Sequence, residues 1–234
     1  MNQDATHYKK LQKVIGIEIK NDSLLKLAFI HKSYVNEQKG HKEHNERLEF
    51  LGDAVLELVV TEYLFKSYPN KQEGELTNWR SALVKGNHLS QVARDLELGK
   101  YLHLSRGEEN SGGRTKPHIL ANVMEALIGA IFLDRGYRVS RTFIHEFILK
   151  HLDDIISQGL HIDSKSLFQE MAQGKLGQTP HYTALSEEGP DHNKQFTMGA
   201  YIGEELVAKG SGASKQKAED VAAKAAIRAK GWDE

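Results

Sequence analysis

The apolar positions of the first 155 residues recur at intervals of three or four, which is the spacing of one face of a helix. The clearest stripe runs through Leu48, Leu51, Val55 and Leu58, and the residues that widen it are Phe50, Ala54, Val59 and Val60. Further helices are predicted over 75–85, 87–97, 118–133 and 138–156, with glycines between them. The pattern therefore predicts an all-helical N-terminal domain.

The pattern changes after the polar stretch 157–159, which is typical of a linker. An alternating segment, Gln195–Ile202, places Phe196, Met198, Ala200 and Ile202 on one face of a strand. The predicted order is a helix over Ser164–Ala172, strands over His181–Glu187, Gln195–Ile202 and Glu205–Lys209, and a helix packed through Ala218, Val221, Ala222, Ala225, Ala226 and Ala229.

These patterns predict two domains. An all-α domain over residues 1–156 is followed by a linker at 157–162 and by an α+β domain, with the order α-β-β-β-α, over 163–231. We expect the aromatic residues Tyr63, Phe65 and Trp79 to lie in the core of the first domain rather than to stack on bases.

Composition sets limits on compartment and partners. The chain has no cysteine, which excludes disulfides and thiolate metal sites and fits a reducing compartment. The polar N-terminus lacks the apolar stretch of a signal peptide, and the longest apolar runs are too short to cross a bilayer. We therefore expect a cytoplasmic protein without a membrane partner.

Net charge does not indicate a nucleic-acid partner. The chain carries −1 overall; up to residue 160 it has 22 Lys and Arg against 21 Asp and Glu, and beyond it 9 against 11. If a nucleic acid binds, it must bind to a local patch rather than to a generally basic protein.

Acidic residues interrupt the first apolar stripe. Glu49 and Asp53 are four positions apart, so on a helix they share one face, with Glu46 one turn earlier. Like charges at this spacing weaken a helix. Gly52 costs a helix about 1 kcal/mol relative to alanine, but it leaves room for close approach. These acids are therefore candidates for a functional site.

The helix predicted over 118–133 repeats this feature, because Asn122 and Glu125 are its polar residues within the apolar run 119–133 and share one face. A carboxylate buried without a partner costs several kcal/mol, and no basic residue lies within that run. If the two helices pack face to face, the acids of both converge, and a hard divalent cation offsets their repulsion.

The candidate ligands are all oxygen donors, which favours Mg²⁺ or Mn²⁺ over zinc. Such an ion lowers the pKa of bound water and stabilises charge on a phosphate, so phosphodiester hydrolysis is the predicted use. The alternative is that the acids cap neighbouring helices or pair with arginines such as Arg47, Arg80 or Arg114. The spacing alone leaves both interpretations open.

The segment 45–53, NERLEFLGD, closely resembles the signature of the ribonuclease III family. Further similarities follow in the family's order at 31–34, 73–77, 80–84, 86–87, 111–113 and 125–130. The second domain is similar to double-stranded-RNA-binding domains through 189–192 and 210–215. This resemblance implies an endoribonuclease specific for double-stranded RNA.

The resemblance also implies roles for the acids. Glu49, Asn122 and Glu125 are the expected metal ligands, and Asp53 and Glu125 the expected catalytic residues. The implied reaction is attack of metal-activated water on a phosphodiester, which leaves 5′-phosphate and 3′-hydroxyl ends. Many relatives carry aspartate where this chain has Asn122, so we expect a greater magnesium requirement here.

Two outer acids and a partner are implied as well. Glu46 and Glu73 match acids that help to hold metal-bound water and substrate. Family members act as homodimers in which each subunit cuts one strand, with ribosomal RNA precursors and structured messages as substrates. The signature helix is either a dimer surface or part of the internal core, because both explain its apolar residues.

The resemblance assigns RNA contacts to the second domain. Duplex RNA is recognised by its shape and by its 2′-hydroxyls across the minor groove. The expected minor-groove contacts are Ser166, Gln169 and Glu170 on the first helix and His192 in a loop; the expected phosphate contacts at the last helix are Ser214, its N-cap, with Lys215 and Lys217. Gln216 replaces one of two adjacent lysines that related domains usually carry.

Two other functions remain possible at this stage. A catalytically silent RNA-binding protein built on a degenerate nuclease domain is favoured by Asn122 alone. A DNA nuclease is the third interpretation, and it would cut B-form duplexes equally well, against the 2′-hydroxyl argument.

Overall fold

The computed structural model describes residues 3–37, 43–157, 164–190 and 194–232. The chain divides into two compact units, Met1–His161 and Ile162–Glu234. The first unit is helical and the second contains three strands and two helices, which confirms the predicted fold class. Most of the predicted linker lies outside the described residues, but Ser157, assigned to it, is the last residue of a helix.

Helices account for most of the described part of the first unit. They are α1 (Gln3–Ile15), α2 (Asp22–Ala28), α3 (Lys32–Glu37), α4 (Glu46–Ser67), α5 (Glu73–Val84), α6 (Gly86–Asp95), α7 (Arg106–Asn110), α8 (Pro117–Phe147) and α9 (Leu152–Ser157). Short 3₁₀ turns lie at Leu98–Tyr101, Gly113–Thr115 and Leu149–His151.

The core of the first unit surrounds α4 and α8. Leu56 and Val60 of α4 and Leu127 and Ile131 of α8 are fully buried. Each such side chain contributes about 1.5–3 kcal/mol when it is removed from water. Apolar contact between the two helices, rather than helix propensity, therefore stabilises them.

Two glycines bring the backbones of α4 and α8 into direct contact. A Cβ atom at Gly52 would lie 1.7 Å from the carbonyl oxygen of Glu125, and one at Gly129 would lie 2.2 Å from the carbonyl oxygen of Leu48. No side chain fits at either position without forcing the helices apart. The close approach that Gly52 predicted is thus present, and it brings the two polar faces together.

The break predicted between the helices over 118–133 and 138–156 is present in the structure. Helix α8 consists of two helical segments that meet at one non-helical residue, Gly136, with φ 76° and ψ 177°, and the second segment ends at Phe147 rather than at 156. Glycine adopts this positive φ without the steric cost that other residues have. Asp134, just before the break, accepts hydrogen bonds from the backbone amides of Lys20 at 2.8 Å and Asn21 at 3.0 Å. The break therefore anchors the segment between α1 and α2.

Helix α4 exposes several apolar residues. Phe65 is 73% exposed, so the prediction that it lies in the core is wrong, whereas Trp79 is buried as expected. Leu58, which belongs to the predicted stripe, is 58% exposed. Phe50 is 81% exposed. Because α4 packs on α8 through its Gly52 face, the apolar residues on its opposite side remain outside.

One helical stretch, Pro117–Ser157, is long and apolar enough to span a membrane by length and composition, although the separate apolar runs in the sequence are short. Of its most apolar window, 61% is buried inside the protein. A buried core helix meets the same criterion, so the stretch is only weak support for a membrane span.

In the second unit, α10 (Ser164–Leu176) precedes the strands β1 (His181–Glu188), β2 (Gln195–Ile202) and β3 (Glu205–Gly212), and α11 (Lys215–Ala229) follows them. The strands form an antiparallel sheet in the order β1-β2-β3. The predicted elements differ from the observed ones mainly in length, since β3 extends to Gly212 and α10 to Leu176.

Helix α11 packs on the sheet through small residues. Ala218, Ala222 and Ala226 are fully buried, and a Cβ atom at Gly210 of β3 would lie 2.2 Å from the amide nitrogen of Ala222. The predicted packing face is wrong at Val221, which is 47% exposed, and at Ala229, the last residue of the helix, which is also exposed. Burial at four-residue spacing places position 221 on the outer side of the helix.

Candidate functional site

Four polar side chains lie at the edge of the apolar interface between α4 and α8, three of them half-buried and one, Asp53, exposed. Glu49 and Asp53 lie on successive turns of α4, and Asn122 and Glu125 lie on successive turns of α8. Asn122 hydrogen-bonds to Glu49 through its side chain, and Glu125 is coupled electrostatically to Asp53 and Glu49. These four residues, called the acid cluster below, therefore meet as their spacing predicts.

The negative charge of the acid cluster is poorly compensated. Burial raises the pKa of Glu125 to about 7, and the carboxylates of Asp53 and Glu49 add to the rise. Burial also raises the pKa of Glu49, as does the charge of Glu46, while the hydrogen bond from Asn122 opposes the rise. Among the described residues, Oε2 of Glu49 is buried without a hydrogen-bond partner. Both observations indicate carboxylates that need a counter-charge.

Arginines do not supply that counter-charge. Arg80 pairs with Glu57 at 3.1 Å, and Arg114 pairs with Glu109 at 2.7 Å; Arg47 is exposed. Within the described residues, no lysine or arginine forms a salt bridge with a member of the acid cluster. The alternative in which each acid is neutralised by its own arginine therefore fails for this part of the chain.

The donor set of the acid cluster fits a hard divalent cation. It consists of carboxylate and amide oxygens, which Mg²⁺ and Mn²⁺ prefer, and Oε2 of Glu49 is an orphaned buried acceptor. In the described part of the chain, no three His, Asp or Glu side chains are close enough as they stand to hold a metal ion. Carboxylates of like charge repel one another, so a complete chelate requires side-chain movement.

The second unit has a polar cavity of about 290 Å³ where α10 and α11 begin. This cavity, called the α10–α11 cavity below, is lined by Lys165, Ser166, Gln169, Pro180, Tyr182 and Gln216. Beside it, Oγ of Ser214 accepts a hydrogen bond from the amide of Lys217 at 3.3 Å, which confirms Ser214 as the N-cap of α11. Free amides at the start of such a helix favour an anion.

Comparison with known proteins connects these two features. Residues 21–152 match the Ribonuclease-III-like family, and residues 164–230 match the Double-stranded RNA binding motif. The protein named Ribonuclease 3 from Desulforamulus reducens is 44% identical over 97% of this chain and 93% of its own length. The chain belongs to the ribonuclease III family. Ribonuclease 3 from Borreliella afzelii is 42% identical, again over 97% of this chain and 93% of its own length.

A solved ribonuclease III structure resembles the first unit. The nuclease domain of ribonuclease III from Campylobacter jejuni, described for structural flexibility in a region involved in dimer formation, matches with a TM-score of 0.56 at 44% identity. The match covers 60% of this chain and 95% of the Campylobacter chain.

Glu46, one of the two outer acids implied by the ribonuclease III resemblance, lies at the edge of the acid cluster. Its Oε1 is 3.1 Å from Nζ of Lys32, and its Oε2 is 3.7 Å from Nδ1 of His44. The hydrogen bond from Lys32 holds the pKa of Glu46 below its usual value. The sequence indicated Lys32 only as part of the similar segment 31–34, and it indicated neither Lys32 nor His44 as a contact of this acid.

Glu73, the second outer acid, does not join the acid cluster within one chain. It begins α5, and its Oε1 accepts a hydrogen bond from Oγ1 of Thr77 at 3.0 Å. It lines a cavity of about 660 Å³ that borders α4 from Thr61 onward. At a rise of about 1.5 Å per residue, Thr61 lies roughly 12 Å along the helix from Asp53.

The expected RNA-binding residues of this ribonuclease III family member fall into three groups. Ser166 and Gln169 line the α10–α11 cavity, and Glu170 is exposed on the same helix. At the start of α11, Lys217 is exposed, and Nζ of Lys215 lies 3.8 Å from Glu187. His192 lies outside the described residues. Lys165 and Gln216, which line the same cavity, were not predicted as site residues.

Proposed function

We propose that this ribonuclease III family member, an endoribonuclease acting on double-stranded RNA, hydrolyses its phosphodiester bonds with Mg²⁺ as cofactor and Mn²⁺ as a substitute. The products are 5′-phosphate and 3′-hydroxyl ends. The observation that carries the proposal is the uncompensated acid cluster, in which Glu125 has a pKa of about 7. Buried like charges destabilise a fold, and a divalent cation bound among them offsets that cost.

Each member of the acid cluster has a proposed role. Glu49, Asn122 and Glu125 would hold the ion through their side-chain oxygens, and the ion would supply an activated water and charge stabilisation at the phosphate. Glu125 must lose the proton that it carries below a pH of about 7 before it can act as a ligand. Asp53 is exposed at the open side of the cluster, where its carboxylate can orient water or substrate.

The exposed apolar residues on the outer face of α4 support a homodimer. The exposed α4 residues Phe50, Ala54, Leu58, Thr61 and Phe65 recur at helical spacing and form one stripe, called the α4 stripe below. Exposed apolar surface of this kind is typical of an interface between proteins. Because a two-fold axis pairs a surface with itself, antiparallel packing across Leu58 would place Phe50 of one subunit opposite Phe65 of the other.

This arrangement gives Glu73 a role that it lacks within one chain. The cavity that Glu73 lines also includes Phe65 and Arg80, so it lies at the end of the α4 stripe that faces Phe50 of a second copy. Phe50 can fill that apolar space, and Glu73 then approaches the acid cluster of the other subunit. Glu46 and Glu73 would serve as outer acids from two different chains.

Sedimentation of Phe50→Ser tests the dimer. We expect the variant to be monomeric at micromolar concentration and to lose most cleavage activity. The matched control is Val14→Ser, because Val14 is 57% exposed on α1 and lies outside the α4 stripe. A dimeric Phe50→Ser variant with full activity would contradict this interface.

The second unit is proposed to hold the duplex by its shape. Ser166, Gln169, Glu170 and His192 would contact the minor groove, and Ser214, Lys215 and Lys217 would contact phosphate at the start of α11. Few cations are involved, so we expect modest affinity that falls with salt. We further propose a cytoplasmic enzyme that processes ribosomal RNA precursors and structured messages.

Cleavage of a labelled RNA duplex tests the function. We expect cutting with Mg²⁺ or Mn²⁺, none in EDTA, and loss of cutting in Glu125→Gln. The matched control Glu146→Gln changes an exposed acid on the same helix and should retain activity. RNA bound but left intact with either metal would instead support a silent RNA-binding protein, for which Asn122 is the one supporting observation. Equal cutting of a DNA duplex would contradict RNA specificity.

A further inference from the structure

A lysine at the beginning of α10 connects two elements of the second unit. Nζ of Lys165 donates a hydrogen bond to Oε2 of Glu219 on α11 at 2.6 Å, and it lies 5.0 Å from the centre of the Tyr182 ring. The side chain of Lys165 is 38% exposed, and that of Glu219 is 21% exposed. The ammonium group is thus placed between an acid and an aromatic face, with part of the side chain open to solvent.

This lysine lies where the two proposed contacts with RNA come together. It lines the α10–α11 cavity with Ser166 and Gln169, which belong to the expected minor-groove contact, and with Gln216 from the first turn of α11. A duplex that contacts both helices must therefore pass a sugar–phosphate strand across this cavity. Polar lining and a volume of about 290 Å³ suit one ribose–phosphate unit.

Glutamate side chains at this surface pair with the lysines and so compete with phosphate for them. Glu219 holds Lys165, and Glu187 lies 3.8 Å from Nζ of Lys215. A phosphate that approaches either lysine must share or displace a carboxylate. This pairing agrees with the small acidic excess of the chain beyond residue 160, which has 9 basic against 11 acidic residues.

We propose that Lys165 is a further RNA-binding residue that contacts a backbone phosphate at the α10–α11 cavity, and that Glu219 limits RNA affinity by competing for its ammonium group. The proposal rests on the proposed function, because it requires duplex binding by the second unit. Tyr182 keeps the ammonium group over the cavity when Glu219 releases it. Gln216 contacts the same strand through its uncharged amide, and Lys165 is the charged residue among those that line the cavity.

Two single variants test the proposal, because we expect them to change the affinity for duplex RNA in opposite directions. Binding of the full chain to a fluorescent RNA duplex is measured in EDTA, so that the duplex is not cut, over a series of salt concentrations. For Lys165→Met we expect affinity to fall about 3- to 10-fold at low salt and the slope of log affinity against log salt to decrease by about one. For Glu219→Gln we expect affinity to rise about 3-fold at low salt, because a negative charge near the phosphate is removed.

A lysine at the other end of α10 provides the matched control. Nζ of Lys175 also lies over an aromatic ring, that of Trp232 at 5.9 Å, but Lys175 does not line the cavity. Lys175→Met removes the same charge from the same helix, and we expect it to change the salt slope by less than half as much as Lys165→Met. Thermal unfolding of every variant separates loss of affinity from loss of folding.

A purely structural ion pair would give a different result. Both Lys165→Met and Glu219→Gln would then weaken binding and lower the unfolding temperature together, which would overturn the proposal. An unchanged salt slope in Lys165→Met would also overturn it, even if the unaltered chain binds RNA normally. Failure of the unaltered chain to bind duplex RNA would overturn the proposed function itself, and this inference with it.

Discussion

Replacing Glu125 by glutamine should make the metal-free protein more stable at neutral and alkaline pH. The pKa of Glu125 rises from an ordinary 4.5 to about 7, mainly through burial. Between these values the folded protein binds more protons than the unfolded chain, so stability falls as pH rises through this window. The loss is complete above a pH of about 7 and absent below about 4.5.

The magnitude follows from the size of the rise. Each tenfold change in the protonation equilibrium is worth about 1.4 kcal/mol, so the carboxylate costs at most about 3.5 kcal/mol at pH 8. Partial solvent access and side-chain movement reduce this figure, and we expect a gain of about 1–3 kcal/mol for Glu125→Gln at pH 8. The gain should nearly disappear at pH 5, where the carboxyl of the unaltered protein is already protonated.

Urea unfolding followed by tryptophan fluorescence measures this difference. Trp79 is buried in the first unit, and Trp232 belongs to the second. A Trp232→Phe background therefore restricts the signal to the unit that contains Glu125. Both proteins are unfolded in EDTA at pH 5 and at pH 8.

Two outcomes distinguish the electrostatic explanation from a simple packing effect. If Glu125→Gln is no more stable than the unaltered protein at pH 8, or equally stabilised at both pH values, the reasoning from uncompensated charge is refuted. Magnesium provides a second check, because it should stabilise the unaltered protein more than the variant.

Two further predictions concern the same interface. Gly52→Ala should destabilise the first unit by more than about 3 kcal/mol or prevent it from folding, because its Cβ would overlap the carbonyl oxygen of Glu125. Thermal unfolding measures this effect. The control Gly107→Ala should be nearly neutral, because a Cβ atom there would have no other atom within 4 Å. Asn122→Asp should reach half-maximal cleavage at a lower Mg²⁺ concentration, since it adds a negative ligand, and coincident magnesium titrations of the two proteins would argue against that.

Local spacing was sufficient to predict which members of the acid cluster share a helix face, but their convergence depended on the two helices packing face to face. The four-residue interval of Glu49 and Asp53 and the three-residue interval of Asn122 and Glu125 fix which side chains share a helix face. Gly52 marked the position where another backbone approaches, and the structure places Glu125 there. The second unit was predictable for a similar reason, because the alternating residues of β2 and the closely spaced alanines of α11 each mark one buried face of their element.

Features that depend on distant partners were not predictable from spacing. Apolar residues occur on several sides of α4, and no periodic pattern indicates which side faces α8, so Phe65 was assigned to the core. The Lys165–Glu219 pair joins residues 54 positions apart, and neither residue is unusual in its local sequence. Glu73 was matched to the outer acids by family resemblance, but its location in the folded protein is set by the packing of α5.

The glycine contact between α4 and α8 makes catalytic geometry inseparable from core packing. In many enzymes a layer of side chains lies between the reactive groups and the scaffold, and it can accumulate substitutions without disturbing the chemistry. Here the main chains of α4 and α8 touch directly beneath Glu125. A larger residue anywhere along this contact, called the α4–α8 seam, would push the two helices apart and would separate the proposed metal ligands that they carry. Efforts to raise thermal stability by enlarging these core residues should therefore reduce turnover, and variation tolerated during evolution should concentrate in the parts of the first unit that lie away from this seam.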